Sequence, residues 1–496
     1  MNIELKVYNS LTKKKELFQP LNPPFVGMYL CGPTVYSDGH LGHARSAITF
    51  DVIFRYLEYL GFKVRFVRNI TDVGHLVDEV AGEGEDRIQK KAKIEQIEPM
   101  EVVQKYTNSY HHVLAKLNVK PPSIEPRASA HIPEQIKMIE EIIKNGYAYE
   151  SNGSVYFDIV KYSEFAKYGS LSGRIVEEMI VNTRILEGQS EKKGPLDFAL
   201  WKKASAEHLM KWDSPWGEGF PGWHIECSAM STKYLGKQFD IHGGGLDLLF
   251  PHHECEVAQA NACNKIEPAK YWFHNNMVTI NEQKMARSLG NFITIEQLFA
   301  GDHELLRRAY SPMTVRFFIL QAHYRSTVDF SNDALIAAGK GYTKLINGLR
   351  IAKKLSYLNK EGQKDITLNA EIIKLCKDCY AGLNDDFNTA LTIGHLFNIL
   401  KKINSIYLQT IDISTIEEDV FNTMIKTFCE IIEDILGLKE EKVDDPDGFI
   451  NSLLDIYKDA KDSKQYDKVD KIRALFKAEG LIIKDMKNNI DWAYEE

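Results

Sequence analysis

One turn constrains this chain more than any other stretch: Cys31-Gly-Pro-Thr-Val-Tyr-Ser-Asp-Gly-His-Leu-Gly-His43, polar, rich in glycine and set between two kinds of apolar pattern. Ahead of it, Gly27-Met-Tyr-Leu30 reads as a short apolar strand. Behind it, Ala44 to Leu60 repeats apolar residues at helical spacing (Ile48, Val52, Leu57, Leu60) and stops at Gly61. Lys63-Val-Arg-Phe-Val67 then reads as a second strand. The run predicts a β-turn-α-β unit, and hence an α/β chain built on a parallel sheet. Turns of this kind bind phosphate, because the N–H groups of a helix N-terminus point outward and the helix dipole favours anions. The turn is neither G-x-x-x-x-G-K-[ST] nor G-x-G-x-x-G, so it is not a P-loop and not a dinucleotide fingerprint.

A second constellation lies in Trp223-His-Ile-Glu-Cys227 and in His242-Gly-Gly-Gly-Leu-Asp-Leu-Leu-Phe-Pro-His-His-Glu-Cys-Glu256. Pro251 suits the first position of a helix, which would put His252 and Glu256 at i, i+4 on one face, half of a zinc site. Cys31 and Cys227 can complete the set if both sit at the C-terminal edge of one parallel sheet, where open α/β folds bind ligands. Spacing leaves this open. His253, Glu254 and Cys255 compete, although Cys255 points about 100° away from Glu256 on a helix. A lone cysteine is more often a small buried hydrophobe than a ligand. Cys376-Lys-Asp-Cys379 lies in a polar helical stretch with no second pair, so these two, like Cys263 and Cys429, are read as packing residues.

Length and composition set the class. At 496 residues the prior is about three domains. Seven cysteines, an odd number in a long chain, argue for a reducing compartment. Met1-Asn-Ile-Glu-Leu-Lys6 lacks an apolar signal region, and no apolar run reaches the ~18 residues of a membrane span. A cytoplasmic protein with no membrane contact is expected. The net charge of −8 excludes a wholesale nucleic-acid coat but not a local basic surface.

His40-Leu-Gly-His43 resembles the HIGH signature of class I aminoacyl-tRNA synthetases, and the Cys-Gly-Pro-Thr-Val-Tyr lead-in narrows the resemblance to the cysteinyl-tRNA synthetases. Lys284-Met-Ala-Arg-Ser288, followed by Leu289-Gly-Asn-Phe292, resembles the partner signature KMSKS. It departs from it at Ala286 and Arg287. Arg287 keeps the charge but presents a fork where lysine presents a point. The resemblance spans Leu5 to Trp492.

The resemblance implies a Rossmann-like catalytic domain with an inserted connective region, then an α-helical C-terminal domain and a small anticodon-binding module. The expected boundaries are an N-terminal β element at 1–25 and a catalytic domain at 26–119 and 216–300. An insertion at 120–215, a stem-contact region at 301–334, a helical bundle at 335–440 and a module at 448–496 complete it. Cys31, Cys227, His252 and Glu256 match the family's zinc ligands, one ion per chain. Thr71, Trp223, His224, His242 and Asp247 match amino-acid pocket positions.

The implied reaction joins L-cysteine to tRNA(Cys) through cysteinyl-adenylate, with ATP and Mg²⁺. His40, Gly42, His43, Lys284 and Arg287 would be catalytic, and His40, His43, Lys284, Arg287 and Ser288 would contact ATP. Gly42 would leave room for the adenine. Zinc suits the choice of cysteine over serine, because it binds thiolate far better than hydroxyl, whereas an apolar pocket gains only about 1–3 kcal/mol per methylene. No editing domain is then needed, and a monomer is expected. Two readings compete for Trp492: stacking on an anticodon base, or anchoring the tail, of which packing is preferred. The rival functions are a cysteine ligase with an amino-sugar acceptor and a catalytically silent RNA-binding paralogue; the tail at 448–496 and the intact motifs argue against them.

Overall fold

The structure is a computed structural model. It describes residues 4–73, 76–78, 83–175, 178, 191–285, 289–357, 362–441, 447–486 and 489–495. The chain divides into two compact units, Met1–Leu305 with Tyr324–Asp329, and Leu306–His323 with Phe330–Glu496.

The first unit is built on four parallel strands: β1 (Phe25–Leu30), β2 (Lys63–Arg68), β3 (Phe239–Gly245) and β4 (Ala269–Asn275). Their order across the sheet is β4-β3-β1-β2. The crossover between β1 and β2 is α1 (Leu41–Tyr59), which is the unit foreseen from the turn. Ile48, Phe50, Ile53 and Leu57 on α1 are fully buried. Each such side chain contributes about 1.5–3 kcal/mol by leaving water. An antiparallel hairpin, Lys6–Asn9 with Lys14–Leu17, precedes the sheet, and the Asn9 amide donates to the backbone of Lys270 on β4.

Two helices follow β2: α2 (Arg87–Glu95) and α3 (Pro99–Lys116). The charged stretch 85–93 is helical from Arg87. Its buried Ile88 and Ala92 supply a packing face that its many charges conceal. The inserted region carries α4 (Ile132–Lys144) and an antiparallel sheet of Ala148–Ser151, Ser154–Phe157, Phe198–Lys203 and Gly219–Pro221. That sheet runs on past residue 215, because Phe220 pairs with Lys202. The chain then returns through α5 (Trp223–Leu235) and α6 (Glu254–Asn264) to the parallel sheet.

The second unit is helical. α7 (Pro312–Leu320), α8 (Asn332–Lys354), α9 (Ile366–Asn384), α10 (Thr389–Tyr407) and α11 (Glu418–Glu430) bury apolar stripes, among them Leu345, Ile372, Leu396, Ile403 and Phe428. The tail forms α12 (Asp447–Asp462), α13 (Tyr466–Ala478) and a hairpin, Leu481–Met486 with Asn489–Tyr494. The second hairpin strand was not foreseen. Its polar Asn489 and Asp491 mask the period, and pairing with 481–486 overrides it. Trp492 is 8% exposed, with the Arg350 guanidinium 3.6 Å from its ring centroid. That geometry fits the packing reading. Among the described residues no helix is long and apolar enough to cross a membrane.

Candidate active site and metal centre

The C-terminal edge of the parallel sheet carries a cavity of about 480 Å³. Cys31 follows β1, Gly245 ends β3 and Asn275 ends β4, and all three line it with His40, Gly42, His43, Trp223, Asp247 and Lys284. Such an edge collects side chains from distant sequence because parallel strands all end there.

The first turn of α1 organises the nucleotide half. His40 is the N-cap, and its Nδ1 accepts from the Gly42 N–H at 3.0 Å. His43 Nδ1 accepts from the His40 N–H at 3.2 Å. In neutral rings this leaves the proton on Nε2 of both, so each is prepared to donate. The rings stack with centroids 3.9 Å apart. Burial lowers the His43 pKa to about 4, which keeps it neutral. A Cβ on residue 42 would meet His40 Cε1 at 2.8 Å, so glycine here first makes room for the His40 ring. A Cβ on Gly32 would lie 1.6 Å from the Asn69 carbonyl, which explains the glycine beside Cys31. Lys284 closes the cavity from a two-residue strand. Arg287 and Ser288 lie outside the described residues.

The metal half lies deeper. Cys31, Cys227, His252 and Glu256 offer four ligand atoms within 4.8 Å of one another. Cys31 Sγ lies 3.7 Å from Cys227 Sγ and 3.5 Å from Glu256 Oε1. His252 Nε2 lies 3.1 Å from Glu256 Oε1, as i, i+4 geometry requires. Phe250 is extended (φ −143°, ψ 132°), so helical backbone starts at Pro251 as the sequence suggests.

The electrostatics match a ligand set. Burial and the adjacent Cys227 push the Cys31 thiol well up, and the hydrogen bond from Cys31 brings Cys227 down to about 6. Burial alone would raise Glu256, but His242 and His252 outweigh it and hold the carboxyl at about 2. Burial would lower His252, yet Cys227 and Glu256 raise it to about 10. Buried, converging thiols, imidazole and carboxylate are the donors zinc takes.

The competing residues separate cleanly, except one. The Glu254 carboxylate accepts from the backbone N–H groups of Gly169 (2.9 Å) and Ser172 (2.7 Å), which ties the insertion to α6. Cys255 faces the Tyr168 hydroxyl at 3.4 Å, and burial pushes its thiol up. His253 is different. Its Nε2 lies 3.3 Å from Cys31 Sγ, and with Cys31, His242 and Glu256 it forms a second converging quartet. His253 Nδ1 reaches His274 Nε2 at 2.8 Å. His274 carries no sequence signal, since it sits in an ordinary strand; adjacent His252-His253 was the one clue to the cluster.

Of the five pocket residues, Trp223 and Asp247 line the cavity. Thr71, His224 and His242 do not; they stand behind the site. His224 Nδ1 meets His252 Nδ1 at 2.9 Å, and His242 Nε2 meets Glu256 Oε2 at 2.8 Å. Each thus orients a candidate ligand, the task of partners around metal sites. Thr71 Oγ1 accepts from the Asn69 amide at 3.0 Å. None of these three partners, His252, Glu256 and Asn69, lines the cavity either.

The comparisons with known proteins agree with this geometry. Residues 17–340 match the model of the class I tRNA synthetase (C) catalytic domain, and residues 379–440 match the DALR domain. The chain is 63% identical over 494 residues to a cysteine--tRNA ligase of Cytophaga hutchinsonii, covering 99% of both chains. It is 54% identical to that of Bacteroides fragilis and 43% to that of Chlorobaculum tepidum, with 99% of both chains covered in each case. Among solved structures, the Mycobacterium tuberculosis methionyl-tRNA synthetase in complex with methionyl-adenylate aligns with a TM-score of 0.58 at 12% identity. That alignment covers 83% of this chain and 92% of the other, a likeness of fold. The chain belongs to the cysteine--tRNA ligase family of class I aminoacyl-tRNA synthetases.

Proposed function

We propose that this chain activates L-cysteine with ATP to cysteinyl-adenylate and transfers the cysteinyl group to the 3′ end of tRNA(Cys). The observation that carries this is the shared cavity: Cys31 of the converging quartet and the His40–His43 pair line one wall system with Lys284.

The cysteine carboxylate attacks the α-phosphorus of ATP in line, and pyrophosphate leaves. Such a step needs positioning and charge stabilisation more than a protein nucleophile. His40 and His43, protonated on Nε2 by their capping bonds, donate to phosphate oxygens. Lys284 meets the charge that develops on the leaving group, with Arg287 and Ser288 of the same motif expected beside it. The terminal ribose hydroxyl of the tRNA then takes the acyl group, and AMP departs. Mg²⁺ accompanies ATP.

Cys31, Cys227, His252 and Glu256 would hold one zinc ion, oriented by His224 and His242. Bound zinc would supply a soft acid that takes a thiolate in preference to a hydroxyl. This set carries two sulfur donors and the alternative with His242 and His253 only one, which favours the former. The insertion would serve as the connective region and residues 448–496 as the anticodon-binding module.

Cysteine-dependent ATP–pyrophosphate exchange followed by charging of tRNA(Cys) tests the reading. Exchange without charging would sink the tRNA assignment in favour of another acceptor. Failure to exchange by folded, zinc-loaded protein would sink the ligase reading itself.

A further inference from the structure

Three of the four candidate ligands have a polar partner outside the set. His253 Nε2 stands 3.3 Å from Cys31 Sγ, His224 Nδ1 meets His252 Nδ1 at 2.9 Å, and His242 Nε2 meets Glu256 Oε2 at 2.8 Å. Cys227 differs. Its Sγ lies 3.7 Å from Asn69 Oδ1, an acceptor. The Asn69 amide is held that way round, because Oδ1 accepts from the Gly32 N–H at 2.9 Å and Nδ2 donates to Thr71 Oγ1 at 3.0 Å. The other neighbour is Cys31, whose thiol donates to Cys227 Sγ at 3.7 Å. Metal takes cysteine as thiolate, so zinc would remove the protons of both sulfurs. Cys227 would then lose its donor from Cys31 and face the lone pairs of Asn69.

A donor without a task stands in the same layer. Tyr29 lies on β1 two residues before Cys31, so strand alternation puts both on one face of the sheet. The Cys31 N–H, which donates to Gly243 at 3.3 Å, carries the ladder that far. Tyr29 is 0% exposed and packs in one cluster with Cys227, Met230, Phe239 and Trp272. Its ring stands edge-on to that of His242, centroids 5.3 Å apart. The hydroxyl is buried and makes no hydrogen bond of normal geometry. Burial first, then the nearby Cys227, Cys31 and Glu256, push its pKa well up, so it keeps its proton. A buried O–H left unpaired costs its desolvation, and the large majority of such groups are satisfied. An unused donor thus stands beside a sulfur that metal would leave without one.

We infer that Tyr29 is a positioning residue of the metal centre, its hydroxyl donating to Cys227 Sγ when that sulfur binds zinc as a thiolate. The inference rests on the zinc ligands proposed above. A hydrogen bond from a neutral donor to a charged sulfur is of the stronger kind, and it fixes the direction in which the ligand points. Tyr29 thereby does for Cys227 what His224 and His242 do for His252 and Glu256.

The test compares Y29F with the wild-type full-length chain, with zinc ion alone as the probe. The substitution removes the hydroxyl and keeps the ring. Zinc affinity, read by competition with a chelator, is expected to fall by about 10-fold, the usual cost of losing one partner of a ligand. Metal-free Y29F should melt at the wild-type temperature, so the rise in Tm on adding zinc shrinks. With Co²⁺ in place of zinc, the sulfur-to-metal charge-transfer band should move to lower energy, because a thiolate without its hydrogen bond gives up electron density more readily. Zinc affinity within about twofold of wild type would overturn the inference. So would an equal loss of Tm in the metal-free and zinc-loaded variant, since the hydroxyl would then serve packing alone. Wild-type protein that takes up no zinc would sink the ligand reading and this inference together, whereas equal uptake by both proteins sinks the role of Tyr29 alone.

Discussion

Cys31 with Cys227, and Cys376 with Cys379, are two pairs of cysteines largely removed from solvent, and their neighbours differ in kind. The first pair meets His252, His253 and Glu256 at the edge of a parallel sheet, and Cys227 is brought down to about 6 by the hydrogen bond from Cys31. The second pair sits on α9 in the helical unit, where burial raises both thiols. Thr392 there donates to the Cys379 carbonyl, not to its sulfur. A cysteine becomes a ligand or a nucleophile through its surroundings. The C-x-x-C pattern, the more suggestive of the two in sequence, marks the inert pair.

Predictions can break this contrast. The largest effect is expected from Cys227→Ala or His252→Ala. Each should abolish stoichiometric zinc and lower cysteine-dependent exchange by more than about 100-fold, with loss of preference for cysteine over serine. Metal analysis and exchange with both amino acids measure this. Retention of zinc together with the preference would mean that the ligands are elsewhere, the His242–His253 quartet being the first place to look.

Lys284→Ala should separate the two halves of the cavity. Exchange is expected to fall by about 100-fold, as when one group stabilising transition-state charge is removed, while zinc content stays at the wild-type value. A parallel loss of zinc would show that the halves are not independent.

For the other pair, the double substitution Cys376→Ala and Cys379→Ala should leave zinc and exchange unchanged. It should cost about 1 kcal/mol per deleted sulfur, similar to one buried methyl group, read as a few degrees of Tm. Loss of zinc in that variant would overturn the contrast.

The smallest effect concerns pH. Burial raises Glu125, but His111 and Arg68 outweigh this and hold its carboxyl below the usual range. The folded value is thus depressed. Its contribution is present above the unfolded value near 4.3 and is lost as pH falls through the folded one. Glu125→Gln should lower stability at neutral pH by under about 1 kcal/mol, seen as a slightly lower Tm, and the two proteins should converge as pH falls, so the variant's acid limb is flatter. Equal acid sensitivity in both proteins would refute that assignment.

Legibility followed the range of the interactions. The β1–α1–β2 unit was readable because its signals are local periods. So was the His252–Glu256 pair, one helical turn apart. The second strand of the tail hairpin was not, since its pairing partner supplies what its own residues lack. Thr71, His224 and His242 were recognised as belonging near the site. Their place outside the cavity wall depends on how α5 and the parallel strands pack, and no local pattern records that.

The sequence by itself determined the α/β class, the polar turn ahead of α1 and, through resemblance, the family and the four candidate ligands. Those depend on residue identity and on spacing within one element. Tertiary structure alone decided that Glu254 and Cys255 face the insertion and that His253 and His274 join the cluster. Each of these is set by packing between segments tens to hundreds of residues apart, and the geometry of such contacts is written only when the chain is folded.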